Sequence, residues 1–390
     1  MSCCYFSDLE RHSSVSNCII CVANDIHKNE WDTFVCNHPD ATIYHLYGWK
    51  RIISETYGHK TWYLIAREDS RTTAQSNLDS KEQQSGQLIG ILPLIHIKSL
   101  IFGNKLISIP FADCGGILAK SREAESKLLS EAIRLMMELG VDGIELRNVR
   151  PIASLQNTKS LRTGDYPITF SIDSHKHRML FPLPKNPEEL MKSFKSKLRS
   201  QIRKPLKEKL ISRTGGIELL NDFYSAFAIN MRDLGSPVHS KGLIRNVLEE
   251  FPDRTRITAV YKDNIPIASS LMIGFKDMLE NPWASSVKKY SRMSPNMLLY
   301  LRMLEYGSDN GFKFFNFGRS APGEGTYNFK MQWGVIAEPL HWYFLHPEGR
   351  KAESLNSGKA KLLWAIRIWQ KLPLSIATLF GPVLRKRIGL

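Results

Sequence analysis

The chain has 390 residues, more than one hydrophobic core usually holds, so two domains are expected. Apolar residues make up 43% and charged residues 23%, a globular balance that excludes disordered and collagen-like classes. The formal net charge of +15 favours phosphates, nucleic acid or an anionic membrane face as partners and says nothing about fold. In chain order, residues 1–14 (MSCCYFSDLERHSS) form a loose leader with no apolar core and no cleavage site, so no secretory signal is expected there. The six cysteines, Cys3, Cys4, Cys18, Cys21, Cys36 and Cys114, all lie in the first third. Cys18 and Cys21 sit inside NCIICVA, a strand-like run, and no second Cys/His pair marks a zinc site, so reduced thiols, no metal and a cytoplasmic setting are expected. No apolar run reaches the roughly 18 residues needed to span a bilayer.

WYLIA (62–66) and QLIGILPLIHI (87–97) read as strands flanking a polar hairpin tip, 69–86. A helix is predicted from Glu123 to Leu139, with Leu128, Leu129, Ala132, Ile133, Leu135 and Met136 on its apolar face and Gly140 as cap. The strand VDGIELRNV follows. In the second half ITAVYKDNIPIASSLMIGF (257–275) reads strand, turn, strand, with Asp263-Asn264 at the turn. Ser294-Pro295 opens a helix that closes at Gly311, and FKFFNF is the next strand. The halves match in order. Pro110-Phe111-Ala112 aligns with Pro282-Trp283-Ala284 and Gly140 with Gly311, at offsets of 172 and 171 residues. Duplication of one α/β (α+β) unit is the reading: a first domain over 15–160 and a second over 161–350, each a mixed sheet flanked by helices.

Two stretches carry candidate chemistry. KSFKSKLRSQIRKPLKEKLISR (192–213) holds nine Lys/Arg and one acid. Phe194, Leu198, Ile202, Leu206 and Leu210 recur every four residues as one helix face, and Lys195, Arg199, Arg203 and Lys207 form the adjacent row. Stacked like charges repel by a few tenths of a kcal/mol per pair, a cost that a bound polyanion offsets; a solvated basic face is the alternative. Pro205 is expected to kink or restart that helix. The second stretch is NFGRSAPGEGTYNFKMQWG (316–334). There Arg319 and Ser320 end a strand and precede a loop with Gly323 and Gly325, whose backbone amides suit an anion. Alternation along TYNFKMQW predicts a strand with Tyr327, Phe329, Met331 and Trp333 on one face and Lys330 on the other, outside the core. Trp283-Ala284-Ser285-Ser286 stands at the matching strand end, but no His/Asp spacing marks a triad there. Asp113 reads as a turn former before Gly115-Gly116. No Walker loop, dinucleotide fingerprint or zinc-protease motif is present.

FKSKLRSQIRKPLK, MRDLGSPVHS, PWASS, SPNMLLY and NFGRSAPGEGTYNFKMQWG together resemble FemAB-type proteins, and more narrowly the subgroup associated with the exosortase/PEP-CTERM exopolysaccharide system. LYGWKRIISETYGHK, GILPL and SIPFADCGG fit the same subgroup, so the resemblance covers roughly 20–350. It implies two tandem GNAT-like acyltransferase domains, in agreement with the repeat. It also implies transfer of an aminoacyl or acyl group to an amine of a peptidoglycan-type or other cell-envelope precursor or of an exopolysaccharide intermediate. The family's Phe-Lys pair falls on Phe329-Lys330, the lysine steadying the transition state, with Tyr327 beside it. Arg199, Arg203, Arg319, Ser320, Gly323, Gly325 and Trp283 then line the phosphate-bearing substrate. No cofactor is permanently bound, and the donor is aminoacyl-tRNA or acyl-CoA. The chain lacks the long coiled-coil insertion of tRNA-using members, which tells against tRNA. The competing function is a non-catalytic basic module that binds RNA or anionic glycolipid; DNA is not expected as a partner.

The tail KAKLLWAIRIWQKLPLSIATLFGPVLRKRIGL (359–390) combines two tryptophans, many aliphatics and clustered cations. It is expected to lie on the inner face of the plasma membrane with its cations toward anionic lipid; a helix packed on the second domain is the alternative.

Overall fold

The computed structural model describes residues 18–69, 86–99, 103–156, 160–163, 166–348 and 359–389. The expected leader 1–14 and nearly all of the hairpin tip at 69–86 lie outside the described residues.

The first half runs β1 (Cys18–Val22), α1 (Lys28–Asn37), α2 (Gly48–Tyr57), β2 (Thr61–Glu68), β3 (Leu88–Ser99), β4 (Gly103–Ile107), β5 (Leu118–Ala119), α3 (Arg122–Glu138) and β6 (Gly143–Asn148). β7 (Ser160–Thr163), β8 (Tyr166–Asp173) and β9 (His177–Pro182) follow, then α4 (Pro187–Ser193) and α5 (Ser196–Lys207). The second half runs β10 (Ile211–Gly215), α6 (Leu220–Asp233), α7 (Lys241–Glu250), β11 (Thr255–Lys262), β12 (Ile265–Phe275), β13 (Met278–Ser286), α8 (Pro295–Asp309) and β14 (Phe314–Ser320). It closes with α9 (Gly325–Met331), β15 (Ile336–Pro339), β16 (His341–Pro347), α10 (Lys359–Gln370) and α11 (Leu374–Arg385).

The chemistry of the strands explains their places. β3 is apolar along almost its whole length because helices cover both of its faces. Ile89, Leu92 and Leu94 join the core under α3, while Leu88, Ile91 and Ile95 join the core under α1 and α2. Asp263 and Asn264 both take positive φ (50° and 63°), as a two-residue hairpin loop between twisted strands requires. Ser294 sits at φ 56° and makes no side-chain cap, so Pro295 at the first helical position supplies the start of α8.

The duplication is visible in the pairing. β1-β2-β3-β4-β6 and β10-β11-β12-β13-β14 have the same order, and each ends in a parallel pair, β4 with β6 and β13 with β14. Each sheet then continues with a strand from the other half. β16 inserts between β6 and β8, and β9 inserts between β14 and β15. The strand exchange runs across the expected boundary at 160/161: β7 and β8 extend the first sheet, β9 pairs in the second, and β16 returns to the first. Pro110-Phe111-Ala112 and Pro282-Trp283-Ala284 also differ in structure. Phe111 lies in a loop at φ 69°, whereas Trp283 is inside β13.

The basic run is two helices, not one. Phe194 caps α4 in an extended conformation and α5 starts at Ser196. Phe194, Leu198, Ile202 and Leu210 are buried, but Leu206 is exposed, because a spacing of four drifts by about 40° per step around a helix. Pro205 does not restart the helix; α5 runs on to Lys207, and Pro205 sits in the last turn, where few i to i−4 bonds remain to be lost.

Exchange of β9 and β16 leaves neither sheet complete without the other half. Thermal unfolding is expected as one transition, with tryptophan fluorescence and far-UV circular dichroism coincident. Two separated transitions would mean that the halves are independent domains.

Candidate active site

The TYNFKMQW stretch is not a strand. It is α9 and the turn after it, and Lys330 is 8% exposed. A period of two contains the spacing of four that a helix also uses, so Phe329 and Trp333 share a face either way. Here they pack with Tyr300 of α8 and Phe317 of β14, and Tyr300 stacks on Phe317 at 4.9 Å. Tyr327 lies half-buried at the edge of this cluster, its ring 6.4 Å from His177.

That packing turns Lys330 back onto the end of β14. Its Nζ donates to the carbonyls of Gly318 (3.1 Å) and Arg319 (2.9 Å). Successive strand carbonyls normally point to opposite edges. They converge here because the β9–β14 register breaks between Asn316 and Arg319 and Gly318 takes φ 76°. A Cβ at Gly318 would lie 3.2 Å from the carbonyl oxygen of Asn281, 3.8 Å from Lys330 Nζ and 3.9 Å from Asp113 Oδ2, so the backbone, the lysine and the carboxylate meet at one point. Burial pulls the Lys330 pKa down to about 8; Arg319 adds to the fall while Asp113 and Glu324 oppose it.

Asp113, taken above as a turn former, is part of this group. Its Oδ2 accepts from the Arg319 backbone amide (3.0 Å), and its Oδ1 pairs with the Arg319 guanidinium (3.2 Å). Arg319 also stacks on Trp342 of β16 at 4.9 Å, and Arg147 of β6 lies over the same ring at 4.3 Å. The indole Nε1 donates to the Asp113 carbonyl (3.0 Å). Arg147 and Arg319 are separated by 172 residues, the offset of the repeat, so the duplicated position was present in the sequence as a signal that went unused.

Beneath lies Glu280 on β13, 5% exposed. Its Oε2 accepts from Asn316 Nδ2 (2.7 Å), and Asn316 Oδ1 accepts from the Gly318 amide (3.0 Å), so one amide side chain joins the carboxyl to the strand break. Burial pushes the Glu280 pKa up to about 7, against Arg178 and Asn316, with Asp113 adding to the rise. No sequence pattern marked Glu280, and Asn316 opens the NFGRSAPGEG stretch without a role of its own; their proximity follows from the parallel pairing of β13 with β14, in which they face each other.

The remaining expected residues are scattered. Ser320 is 2% exposed and donates to Thr326 Oγ1 at 3.4 Å. Gly323 (φ 86°) and Gly325 shape the turn into α9, but the Ala321 amide is taken by Glu324 (3.1 Å), so that donor of the loop is not offered to an anion. Arg319 likewise has a carboxylate partner. Arg199 donates to the Phe194 carbonyl (2.9 Å) at the start of α5, and Arg203 is exposed on the same helix. The Trp283 ring packs against His239 at 5.8 Å, in the core that both halves share, rather than with Lys330. No group of three or more His, Cys, Asp or Glu arranged to hold a metal occurs among the described residues.

The two parallel pairs differ. In the first half the loop after β4 closes on β6, with the Ser108 amide donating to Glu145 and the Gly115 amide to Arg147. In the second half β13 and β14 are paired only over Met278–Glu280 and Phe314–Asn316. Past that point the ladder between the two strands stops, next to Lys330, and side chains take over the β14 backbone: Lys330 holds the Gly318 and Arg319 carbonyls, Asn316 the Gly318 amide and Asp113 the Arg319 amide.

The family model described as an acetyltransferase (GNAT) domain matches residues 192–331, so α5 through α9 form a GNAT domain. Among solved structures, FemX is similar at a TM-score of 0.61 and 14% identity, over 84% of this chain and 96% of its own. The C-terminal domain of a putative lysylphosphatidylglycerol synthetase from Agrobacterium fabrum matches at 0.51 and 10% identity, over 89% and 97%. A tandem GNAT protein from the clavulanic acid biosynthesis pathway matches at 0.50 and 10% identity, over 85% and 98%. The chain thus has a tandem GNAT-like fold, similar to that of FemX, as the resemblance implied. No curated protein matches the chain by sequence.

Glu280 gives a stability prediction. Its folded pKa of about 7 lies above its ordinary 4.5, so the folded state holds an extra proton between those values, and stability falls as pH rises through that window. Glu280→Gln keeps an acceptor for Asn316 and removes the titration. The variant is expected to match the wild type near pH 4.5 and exceed it by up to about 3 kcal/mol near pH 8, read from denaturant melts at both pH values.

Proposed function

We propose that this chain is an N-acyltransferase that moves an acyl or aminoacyl group from an activated ester or thioester onto an amine of a cell-envelope precursor or exopolysaccharide-linked substrate. The observation that carries the reading is Lys330: a buried cation, inside a GNAT domain, whose hydrogen bonds go to two carbonyls. A cation in that position costs stability, and a perturbed lysine at a strand break beside a diverging strand pair is what catalysis of acyl transfer needs.

The mechanism is direct transfer with no covalent enzyme intermediate. The neutral amine attacks the donor carbonyl carbon, the C–N bond forms, and the carbonyl oxygen becomes an oxyanion. Lys330 has three N–H groups, two of which the Gly318 and Arg319 carbonyls hold in place. The third stabilises the oxyanion. Collapse breaks the bond to the leaving sulfur or oxygen, which takes up the proton lost by the amine. Asp113 and Trp342 fix Arg319, and so fix the carbonyl that orients Lys330. Tyr327 and Phe329 wall the site, and the exposed row on α5 that includes Arg203 meets donor or acceptor phosphates, for which forked guanidinium groups are suited. The basic row would serve the phosphates of either acyl-CoA or aminoacyl-tRNA.

Native mass spectrometry of gently purified protein is expected to find a CoA ester or an aminoacyl-tRNA, which names the donor. With that donor, Lys330→Ala is expected to lower kcat by roughly 10²–10³-fold with a smaller change in KM. Unchanged turnover in the folded variant would overturn the role given to Lys330, and absence of turnover by the wild type with either donor would favour the non-catalytic binding module. The proton that Lys330 must carry also sets a pH limit. Its pKa of about 8 predicts that kcat falls as pH rises through 8, and Lys330→Arg should shift that limb to higher pH in the residual activity.

A further inference from the structure

The tail turns Ile366 and Leu374 toward the protein and many of its other large side chains away from it. On α11, Ala377 and Gly381 face inward, and Gly381 sits so close to Val238 that a Cβ there would come within 3.0 Å of the Val238 backbone nitrogen. The outward side carries Leu379 (67% exposed), Phe380 and Val383, and α10 adds Leu363, Trp364 (68% exposed) and Ile368. These fall at spacings of three and four, one face per helix. Eight of the eighteen exposed large apolar side chains among the described residues belong to these two helices, so the patch is a concentration and not ordinary surface scatter.

The face is held in that orientation. Gln370 Nε2 donates to the Asp233 carbonyl (3.1 Å), and Arg385 Nε donates to His239 Nε2 (3.0 Å). Gly389, beyond α11, offers its carbonyl to Arg147 Nη2 (2.8 Å) and to the Phe111 amide (3.3 Å). The helices therefore cannot turn their apolar side under without breaking buried bonds.

Charge selects the occupant. Residues 354–390 contain seven Lys/Arg and no Asp or Glu, and Arg367, Lys371 and Arg387 are exposed beside the apolar face. A second copy would bring this cationic tail against itself, a like-charge contact. Neither helix is long enough to cross a bilayer, since each has 12 residues, about 18 Å. We propose that α10 and α11 form an interfacial docking surface that lays Trp364, Leu379, Phe380 and Val383 into the headgroup–acyl boundary of an anionic membrane, with the flanking cations against its phosphates. The surface stands independently of the acyl-transfer reading.

The test is flotation of the full chain with vesicles of phosphatidylcholine alone or with about a quarter phosphatidylglycerol. The wild type is expected to float with the anionic vesicles and much less with the neutral ones. Leu379→Ser/Phe380→Ser should cut that partition at least about tenfold at unchanged melting temperature, because both side chains point outward. Ile217→Ser, an exposed apolar site elsewhere, should leave it unchanged. Absence of wild-type binding, equal binding by the double variant, or equal loss in Ile217→Ser would overturn the proposal. So would a wild-type dimer by light scattering that the double variant abolishes, which would assign the face to a second copy.

Discussion

β9 and β16 each leave the half in which they begin and pair in the sheet of the other, and the site depends on this exchange. β16 brings Trp342 from the end of the second half into the first sheet, opposite Arg147. There two arginines at positions one repeat offset apart, Arg147 and Arg319, both lie over the indole ring. Trp342 also holds the Asp113 carbonyl, and Asp113 holds Arg319. The carboxylate beside the lysine is thus donated by the first half, the lysine by the second, and the ring that aligns them by the crossing strand. A buried guanidinium such as Arg147 is costly without partners. Glu145, the carbonyls of Ile109, Ala112 and Gly389, and the Trp342 face together meet that demand.

The two halves share a fold but differ in use, and the difference is local. In the first, the loop carrying Asp113 folds back and satisfies the edge of β6 with the amides of Ser108 and Gly115. In the second, β13 runs on as a strand through Trp283 and leaves β14 behind after Glu280. Past Glu280, β13 is taken up by β12, to which Trp283 through Ser286 remain paired. The same parallel pair is thus closed in one copy and open in the other, and Lys330 lies at the open one.

Much of the architecture was legible from periodicity and punctuation. β3, α3, α8 and the Asp263-Asn264 hairpin follow from apolar patterning and turn residues, and the repeat showed that one unit was used twice. The strand exchange was not legible, because the partners of β9, β15 and β16 are more than a hundred residues away in sequence. The α9 segment was misread for a nearer reason: a seven-residue helix offers too few positions to separate a period of two from a spacing of four. Lys330, Phe329 and Tyr327 were identified by resemblance, yet the burial of Lys330 came only from the structure. Glu280 carries no motif, and Asn316 and Asp113 lie inside NFGRSAPGEG and SIPFADCGG without any feature that marks them for the site. They matter because a parallel pairing and a loop from the other half bring them to one strand break.

The electrostatics of that break explain why it is more than a folding solution. Lys330 with a pKa near 8 is penalised at pH values below it, where the buried amine is charged; Glu280 with a pKa near 7 is penalised above it, where the buried carboxyl is charged. Near pH 7.5 the fold carries most of both costs, each on the order of 3 kcal/mol. A packed core free to optimise stability would replace the pair with apolar side chains of similar volume. Both groups instead connect to Gly318, Lys330 through its carbonyl and Glu280 through Asn316 to its amide, so the cost of two buried charges is concentrated at one residue. Such concentration is the pattern of a site that has been kept against stability.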